Sequence, residues 1–298
     1  MRVLNTFGRH LRARFGFPVR KIPLAIPGFT CPNIDGAIAR GGCSYCLNDS
    51  FTAYVAAGKS SDPVEALIEQ YKNGAAGFNK RGVKHFIAYF QSYTNTYCGI
   101  SLLRRLHNAA LNLKNCVGIS IGTRADCIDG EKAEYLEALN KKTYLWVEIG
   151  VQSTHDKTLD AINRQENFSE IAATIADLKA RSINVCAHLI FGLEGETKEM
   201  ILSSVDRVAE LKVDAVKIHP LYVVKNTALA KTEINTMGLD EYVELLSLAA
   251  ERLPEEMIYQ RVSAGTEKES LIAPMWCKNK NFLMSAVRKG LLERSIVY

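Results

Sequence analysis

Short apolar runs alternate with amphipathic stretches along most of the chain. The apolar runs have the length of β-strands and contain few polar residues, which is typical of strands covered on both faces. Between them, apolar residues recur every three or four positions, as one buried face of a helix requires. The predicted strands span residues 21–26, 83–90, 117–121, 144–151, 185–191, 215–224 (broken near Pro220) and 257–262.

Residues that favour helix starts follow several of these strands. Asp62 and Pro63 predict an N-cap and a first helical residue, and Glu65 would complete a capping box. The other predicted helices begin at Ser101, Asp129 and Thr197, or span residues 155–163, 169–181, 240–253 and 281–293.

Repeated strand–helix units with short connections predict a parallel sheet with helices outside it. We expect a single domain built as a partial, TIM-like (β/α)6 barrel. A doubly wound open sheet is the alternative, because periodicity does not distinguish a closed sheet from an open one. Within the domain, residues 1–21 would form a basic N-terminal arm, residues 22–253 the barrel core and residues 254–298 a C-terminal extension.

Composition and charge add one asymmetry to this picture. The 298 residues are 47% hydrophobic and 23% charged, with a net charge of +5, which suits one large buried core. The arm is rich in arginine and precedes the first acidic residue, Asp35, so it could contact phosphates. It also resembles a mitochondrial transit peptide, but it runs without a break into the segment that follows. No apolar run has membrane-spanning length, and we expect a cytoplasmic protein.

Three of the eight cysteines lie in one glycine-containing segment, residues 31–46, called the cysteine loop below. Cys43 and Cys46 are spaced as C-x-x-C, and Cys31 can join them if the segment folds back. A structural zinc site has four ligands and would need His85 or Cys98 as the fourth. A [4Fe–4S] cluster can be held by cysteines alone, and with three of them it keeps one iron open.

Polar residues stand mostly where the predicted strands end. The cysteine loop, residues 91–96, residues 123–126 and Gln152 each follow a strand. In a barrel these positions meet at one mouth, where barrel enzymes carry their active sites. This convergence favours a cofactor site beside the metal centre over an isolated structural metal.

Taken together, these motifs resemble those of the radical S-adenosylmethionine (SAM) enzymes. The usual cysteine motif of that family has three residues between the first two cysteines, whereas this chain has eleven. The longer spacing, with TRAD, VEIGVQS, AHLIFGLEGET and VKIHPLYVV at successive strands, is similar to the YhcC-like group. That group is related to the radical domain of the Elongator catalytic subunit.

The resemblance implies which residues hold the cofactors. Cys31, Cys43 and Cys46 would bind a [4Fe–4S] cluster, whose open iron would chelate SAM. Tyr45 would lie against the adenine, or would only pack the loop. One-electron reduction of SAM would then generate a 5′-deoxyadenosyl radical that abstracts hydrogen from a substrate.

Further SAM contacts are implied near the strand ends. Gln152 would bind the ribose, and Arg164 the methionine carboxylate, unless Arg164 is only a solvated helix residue. His188 would face the cofactor, or would be a satisfied core histidine. The family's glycine-rich turn is missing at residues 91–94, and Gly122 stands where several relatives have an acidic ribose ligand.

The resemblance implies a radical SAM enzyme, without defining its catalytic residues. The relation to Elongator points to tRNA as substrate, with the C5 substituent of the wobble uridine as the modified group. A small-molecule substrate is one alternative, and a non-catalytic RNA-binding protein with zinc or a cluster is another. An electron donor such as flavodoxin or ferredoxin would be a partner, and no membrane is expected.

Overall fold

A parallel sheet of eight strands forms the centre of the computed structural model, which describes residues 1–48, 60–233, 235–263 and 269–298. Its strands are β2 (Asn5–Thr6), β3 (Val19–Leu24), β4 (His85–Phe90), β5 (Cys116–Thr123), β6 (Tyr144–Gln152), β7 (Asn184–Phe191), β8 (Ala215–Pro220) and β10 (Ile258–Arg261). Their order in the sheet is β2-β10-β8-β7-β6-β5-β4-β3. Two short sheets pair β1 (Arg2–Val3) with β12 (Ile296–Val297), and β9 (Val223–Val224) with β11 (Leu271–Ala273).

The predicted partial TIM-like barrel is confirmed. Strands β3 to β8 and β10 correspond to the seven predicted strands. Strands β3 to β8 are neighbours in chain order because each strand–helix unit returns the chain to the next strand. Beyond the six, β10 and the short β2 extend the sheet next to β8. The sheet ends at β2 and β3, which do not pair with each other, so the barrel is partial.

Most of the helices cover the outside of the sheet and bury their apolar faces on it. The α-helices of the described residues are Phe7–Phe15, Pro32–Asp35, Pro63–Asn79, Ile100–Leu111, Gly130–Asn140, Asp156–Ala161, Phe168–Ala180, Lys198–Glu210, Leu239–Arg252 and Lys280–Glu293. Asp62, Asp129 and Thr197 cap helices as predicted, each accepting a backbone N–H in the first turn.

Two predictions about helix starts are wrong. Ser101 is not a cap, because the backbone is already helical at Ile100 and the Gly99 carbonyl accepts the first N–H bonds. Glu65 does not complete a capping box, since its carboxylate accepts a hydrogen bond from the Ser60 hydroxyl at 2.8 Å instead.

The N-terminal arm is folded. Thr6 caps the helix Phe7–Phe15, and Phe7 and Leu11 insert at the amino ends of the barrel strands, where Phe7 lies edge-on to Trp146 at 5.5 Å between ring centroids. Arg2 donates to three backbone carbonyls of residues 250–254. Arg2, one of the basic residues that could contact phosphates, therefore binds the protein's own backbone at the end of the barrel where the strands begin.

The predicted boundaries after residues 21 and 253 stay a prediction. Segments from both sides of each boundary contribute to the same sheet, since β2, β3 and β10 are all among its strands. In the described part of the chain, no helix is both long and apolar enough to cross a membrane.

Candidate functional site

A cavity of about 240 Å³ opens at the carboxyl ends of the strands. It is lined by every residue that the family resemblance assigns to the cluster or to SAM: Cys31, Cys43, Cys46, Tyr45, Gln152, Arg164 and His188. Parallel strands present their carboxyl ends at one edge, so the loops that follow β3, β6 and β7 meet there.

The cysteine loop folds back through glycines in the left-handed region. Gly36, Gly41 and Gly42 have φ values of 99°, 88° and 76°, conformations that a residue with a Cβ rarely adopts. The N–H of Cys46 donates to the carbonyl of Cys43 at 2.9 Å, which closes a tight turn at the C-x-x-C pair. Burial raises the pKa of the Cys46 thiol to about 12, and the thiols of Cys43 and Cys31 add to that rise because they lie close by.

Side-chain amides point at two of these sulfur atoms. Asn33 donates from Nδ2 to Cys43 Sγ at 3.6 Å, and Asn48 donates to Cys46 Sγ at 3.7 Å. Hydrogen bonds of this kind stabilise thiolate ligands and tune iron–sulfur centres. Asn33 is fully buried and is held in turn by the carbonyl of Asn163 at 2.6 Å.

The donor set fits a cluster held by thiolates better than a zinc ion. His85 begins β4, at the opposite end of that strand, and stacks on Phe17 at 3.8 Å between ring centroids. It is therefore too remote to be a fourth ligand, whereas three cysteines that open onto a cavity suit a cluster with one free iron.

Arg164 is buried and lies beside the cysteine loop. Only 5% of its surface is exposed, and it lies after the end of the helix Asp156–Ala161. Arg164 is therefore not a solvated helix residue. One guanidinium nitrogen, Nη2, donates to the carbonyl of Gly150 at 2.7 Å and pairs with Glu166 at 2.6 Å. Its Nε is buried without a hydrogen-bond partner among the described residues, so the guanidinium is not saturated.

Gln152 ends β6 in a left-handed conformation, with φ of 68°. Strained backbone of this kind persists where the surroundings fix it, often at functional sites. Gly150 leaves room for this arrangement: a Cβ there would lie 2.6 Å from Nε2 of Gln152 and 3.3 Å from Nη2 of Arg164. The glycine of VEIGVQS thus sets the positions of both side chains.

Tyr45 packs against the core cluster and also lines the cavity. Burial raises the pKa of its phenol, and the neighbouring thiol of Cys43 adds to the effect. Both interpretations from the sequence, loop packing and a cavity-facing ring, are compatible with this position.

The turn after β4 forms without the family's glycines. Tyr93 adopts φ of 61° where glycine would be the usual choice, and its N–H donates to Oδ1 of Asn48 at 2.8 Å. Asn95 donates to the carbonyls of Phe90 and Gly122, which ties this turn to the end of β5. The turn is therefore held by side-chain hydrogen bonds, and it places a residue other than glycine in the left-handed region.

A salt-bridge network supports the loops that follow β5 and β6. Arg124 forms a two-pronged contact with Asp126, its Nη2 lying 2.6 Å from Oδ2, and donates to the carbonyl of Arg164 at 3.0 Å. Glu166 lies between the two arginines. The TRAD motif therefore positions Arg164, a role that the sequence did not predict for it.

His188 belongs to a buried polar cluster in the cavity wall. Its Nε2 lies 3.0 Å from a carboxylate oxygen of Glu148, which is fully buried. Glu148 also accepts from Ser120 at 2.6 Å and Tyr89 at 2.9 Å, and pairs with both Lys21 and Lys217.

This cluster is not among the predicted site residues, although the sequence contains two signals for it. Glu148 and Lys217 each interrupt an otherwise apolar strand, and such charges are rarely buried unless they are paired. Burial alone would raise the pKa of Glu148, but the ammonium groups of Lys21 and Lys217 hold it well below its usual value of 4.5. The carboxylate is therefore ionised at neutral pH.

The imidazole of His188 makes the protein's stability depend on pH. Burial, aided by the charge of Lys217, lowers the pKa of His188 from 6.5 to about 4. Between these values the unfolded chain binds a proton that the folded chain does not, so the free energy of unfolding should fall as pH falls. We expect His188→Gln, which keeps a donor toward Glu148, to reduce this slope by up to one proton. Denaturant unfolding at several pH values from 7 to 4 measures it, and an unchanged slope would contradict the assignment.

Comparison with known proteins gives the family. The model of the Radical SAM superfamily matches residues 35–208, and that of the Radical_SAM C-terminal domain matches residues 213–293. Protein YhcC of Escherichia coli K12 is 37% identical over 300 residues, which cover 99% of this chain and 94% of that protein. The chain belongs to the radical SAM superfamily. The predicted resemblance to its YhcC-like group is confirmed, and the superfamily's cofactors are a [4Fe–4S] cluster and SAM.

More distant radical SAM relatives act on tRNA. A tRNA uridine(34) acetyltransferase of Methanocaldococcus jannaschii is 27% identical over 154 residues, or 49% of this chain and 28% of that protein. The solved structure of Elp3 from Methanocaldococcus infernus superposes with a TM-score of 0.68 at 17% identity, covering 93% of this chain. The present chain spans 63% of that Elp3 chain, and this likeness establishes the fold alone.

Proposed function

We propose that this radical SAM enzyme modifies the C5 substituent of the wobble uridine in tRNA, in the cytoplasm. The observation that carries the proposal is the shared cavity: the cysteine loop and a wall of charged and hydrogen-bonding side chains line one space. A substrate group in that space would lie within reach of SAM bound at the cysteine loop. Similarity to a tRNA uridine(34) acetyltransferase supports the choice of nucleoside.

The chain's own residues would bind and orient the cofactors. Cys31, Cys43 and Cys46 would hold the cluster, with Asn33 and Asn48 stabilising the thiolates. When bound, the cluster and SAM supply a radical able to abstract hydrogen from carbon. Flavodoxin or ferredoxin would supply the electron.

Three further side chains would hold SAM. Tyr45 would lie along the adenine, Gln152 would hydrogen-bond the ribose, and Arg164 would offer its unsaturated guanidinium to the carboxylate. His188 would face the cofactor from the cavity wall, where its hydrogen bond to Glu148 holds the imidazole in place.

Replacing Gly150 by Ala should weaken SAM binding roughly tenfold, the loss expected for about one hydrogen bond. The new Cβ would displace the Gln152 amide, which is the end of a flexible side chain, so folding should change little. Gly77→Ala is the matched control, because a Cβ at this helical glycine meets open space. Equilibrium binding of SAM to the anaerobically reconstituted proteins measures the effect. Equal affinities in both variants would show that Gln152 does not contact the cofactor.

The basic N-terminal arm lies away from the cavity, so it would not contact the phosphates of a tRNA nucleotide bound there. Its helix Phe7–Phe15 lies at the amino ends of the strands, whereas the cavity opens at their carboxyl ends. Phosphate contacts near the cavity would have to come from elsewhere, for example from Arg40, which is exposed on the cysteine loop.

Nucleoside mass spectrometry of total tRNA tests the proposal. Cells that lack the gene should accumulate a precursor form of the wobble uridine. The wild-type gene should restore the product, and a Cys43→Ala gene should not. Identical nucleoside profiles in all three strains would reject tRNA as substrate.

A small-molecule substrate is the second candidate. The remoteness of the basic segment from the cavity favours it, because a small molecule needs no extended phosphate-binding surface. Unchanged tRNA together with an altered metabolite in the deletion strain would support it.

A further inference from the structure

A β-bulge in β10 turns two consecutive side chains toward the barrel interior. Tyr259 is opposite Val216 of β8, but Arg261 is opposite Lys217, so Gln260 is an extra residue in β10. Bulges of this kind re-aim side chains, often next to active sites. Gln260 accepts a hydrogen bond from the ammonium of Lys21, and Arg261 lines the cavity.

The guanidinium of Arg261 has no polar partner in the described part of the chain. It makes no hydrogen bond and no ion pair with any residue in the described ranges, although it is half-buried. The other two arginines of the cavity wall differ, since Arg124 is paired with Asp126 and Arg164 with Glu166. Arg261 is thus the arginine in this wall that retains its donors for a ligand.

The charges around Arg261 do not balance. Among the described residues that line the cavity, Glu148 is the only acidic side chain, and Lys21 and Lys217 already share it. Burial lowers the pKa values of His188 and His219, so both imidazoles are neutral at pH 7 and add no charge. Glu148 therefore already has two ammonium partners and does not neutralise Arg261, and an anion bound beside Arg261 would offset the excess positive charge.

We propose that Arg261, with Lys217 opposite it, binds an oxyanion of the substrate, either a carboxylate or a phosphate. Guanidinium groups bind both kinds of anion through two parallel hydrogen bonds. The inference rests on the proposed function in so far as it takes this cavity as the substrate site. Side chains of β8 and β10 would then recognise the substrate, and the loops after β3 and β6 would bind the cofactors.

Calorimetric titration of the anaerobically reconstituted full chain tests the proposal, with inorganic phosphate and acetate as probes. The wild type should bind at least one of them saturably, and Arg261→Ala should weaken that binding roughly tenfold or more, as expected for lost charge-assisted hydrogen bonds. Arg261→Lys should be intermediate, because an ammonium keeps the charge but not the fork. Arg105→Ala removes an exposed helical arginine and should bind like the wild type. A preference for phosphate or for acetate identifies which oxyanion the site takes.

SAM binding by the same variants separates substrate recognition from cofactor recognition. Arg261→Ala should bind SAM with the affinity of the wild type. No saturable anion binding by the wild type, equal binding by Arg261→Ala, or a parallel loss of SAM binding would each overturn the proposal. Arg261-dependent anion binding in a protein whose deletion leaves tRNA unchanged would retain this site and reject only the tRNA assignment.

Discussion

Cys43→Ala should leave the protein without its cluster and without activity. The three loop cysteines are the ligands that the cavity offers, and a [4Fe–4S] cluster with two thiolates has lost too many bonds to persist. Wild-type protein reconstituted anaerobically should contain about four irons per chain and absorb through thiolate-to-iron charge transfer. The variant should show neither.

Cys186→Ala is the control for the cluster prediction. Cys186 lies in β7 among the apolar side chains near the amino ends of the strands, far from the cysteine loop. Its replacement should preserve the iron content. Full iron in Cys43→Ala, or stoichiometric zinc and no iron in the wild type, would contradict the ligand assignment.

Glu148→Gln should cost roughly 3–5 kcal/mol of unfolding free energy, because removing one partner of a buried ion pair leaves the other charged and uncompensated. Here two ammonium groups, Lys21 and Lys217, would lose their shared carboxylate. The glutamine keeps the shape of the side chain, so packing should change little. Denaturant unfolding measures the loss as a lower midpoint at unchanged slope.

Two further variants make the Glu148 prediction specific. Glu137→Gln alters a half-buried surface carboxylate that pairs with Lys141 and Arg181, and it should leave the midpoint nearly unchanged. Lys217→Met in the Glu148→Gln background removes one unpaired ammonium and should recover part of the stability. A Glu148→Gln midpoint equal to that of the wild type would show that the buried ion pairs contribute little.

The barrel strands could be predicted because their apolar runs are long and regular. Residues 144–151, for example, differ from the observed strand Tyr144–Gln152 by a single residue. The predicted site residues also share one cavity, since they lie in the second half of a strand or in the connection that follows it, and the fold brings the carboxyl ends of the strands together.

The partners of those residues could not be predicted, because they depend on contacts between distant strands. Lys21 was grouped with the basic arm, yet its ammonium reaches Glu148, 127 positions away in the chain. Arg164 was weighed as a surface helix residue, and its burial follows from Glu166 and Gly150. The bulge that aims Arg261 inward is a matter of register between two strands, for which the residues carry no local signal.

In the N-terminal arm, the periodicity of the apolar residues predicts the structure better than the charge does. Phe7, Leu11 and Phe15 recur every four residues, which is the pattern of a helix with one buried face. That apolar face places the segment inside the barrel end, and its arginines were secondary to this packing.

Reductive cleavage of SAM tests the central claim most directly. Anaerobically reconstituted wild-type protein, reduced with dithionite, should convert SAM to 5′-deoxyadenosine and methionine even without a substrate, and Cys43→Ala should not. Mass spectrometry of the reaction mixture quantifies 5′-deoxyadenosine. Wild-type protein with a full complement of iron that forms no more 5′-deoxyadenosine than Cys43→Ala would contradict the account.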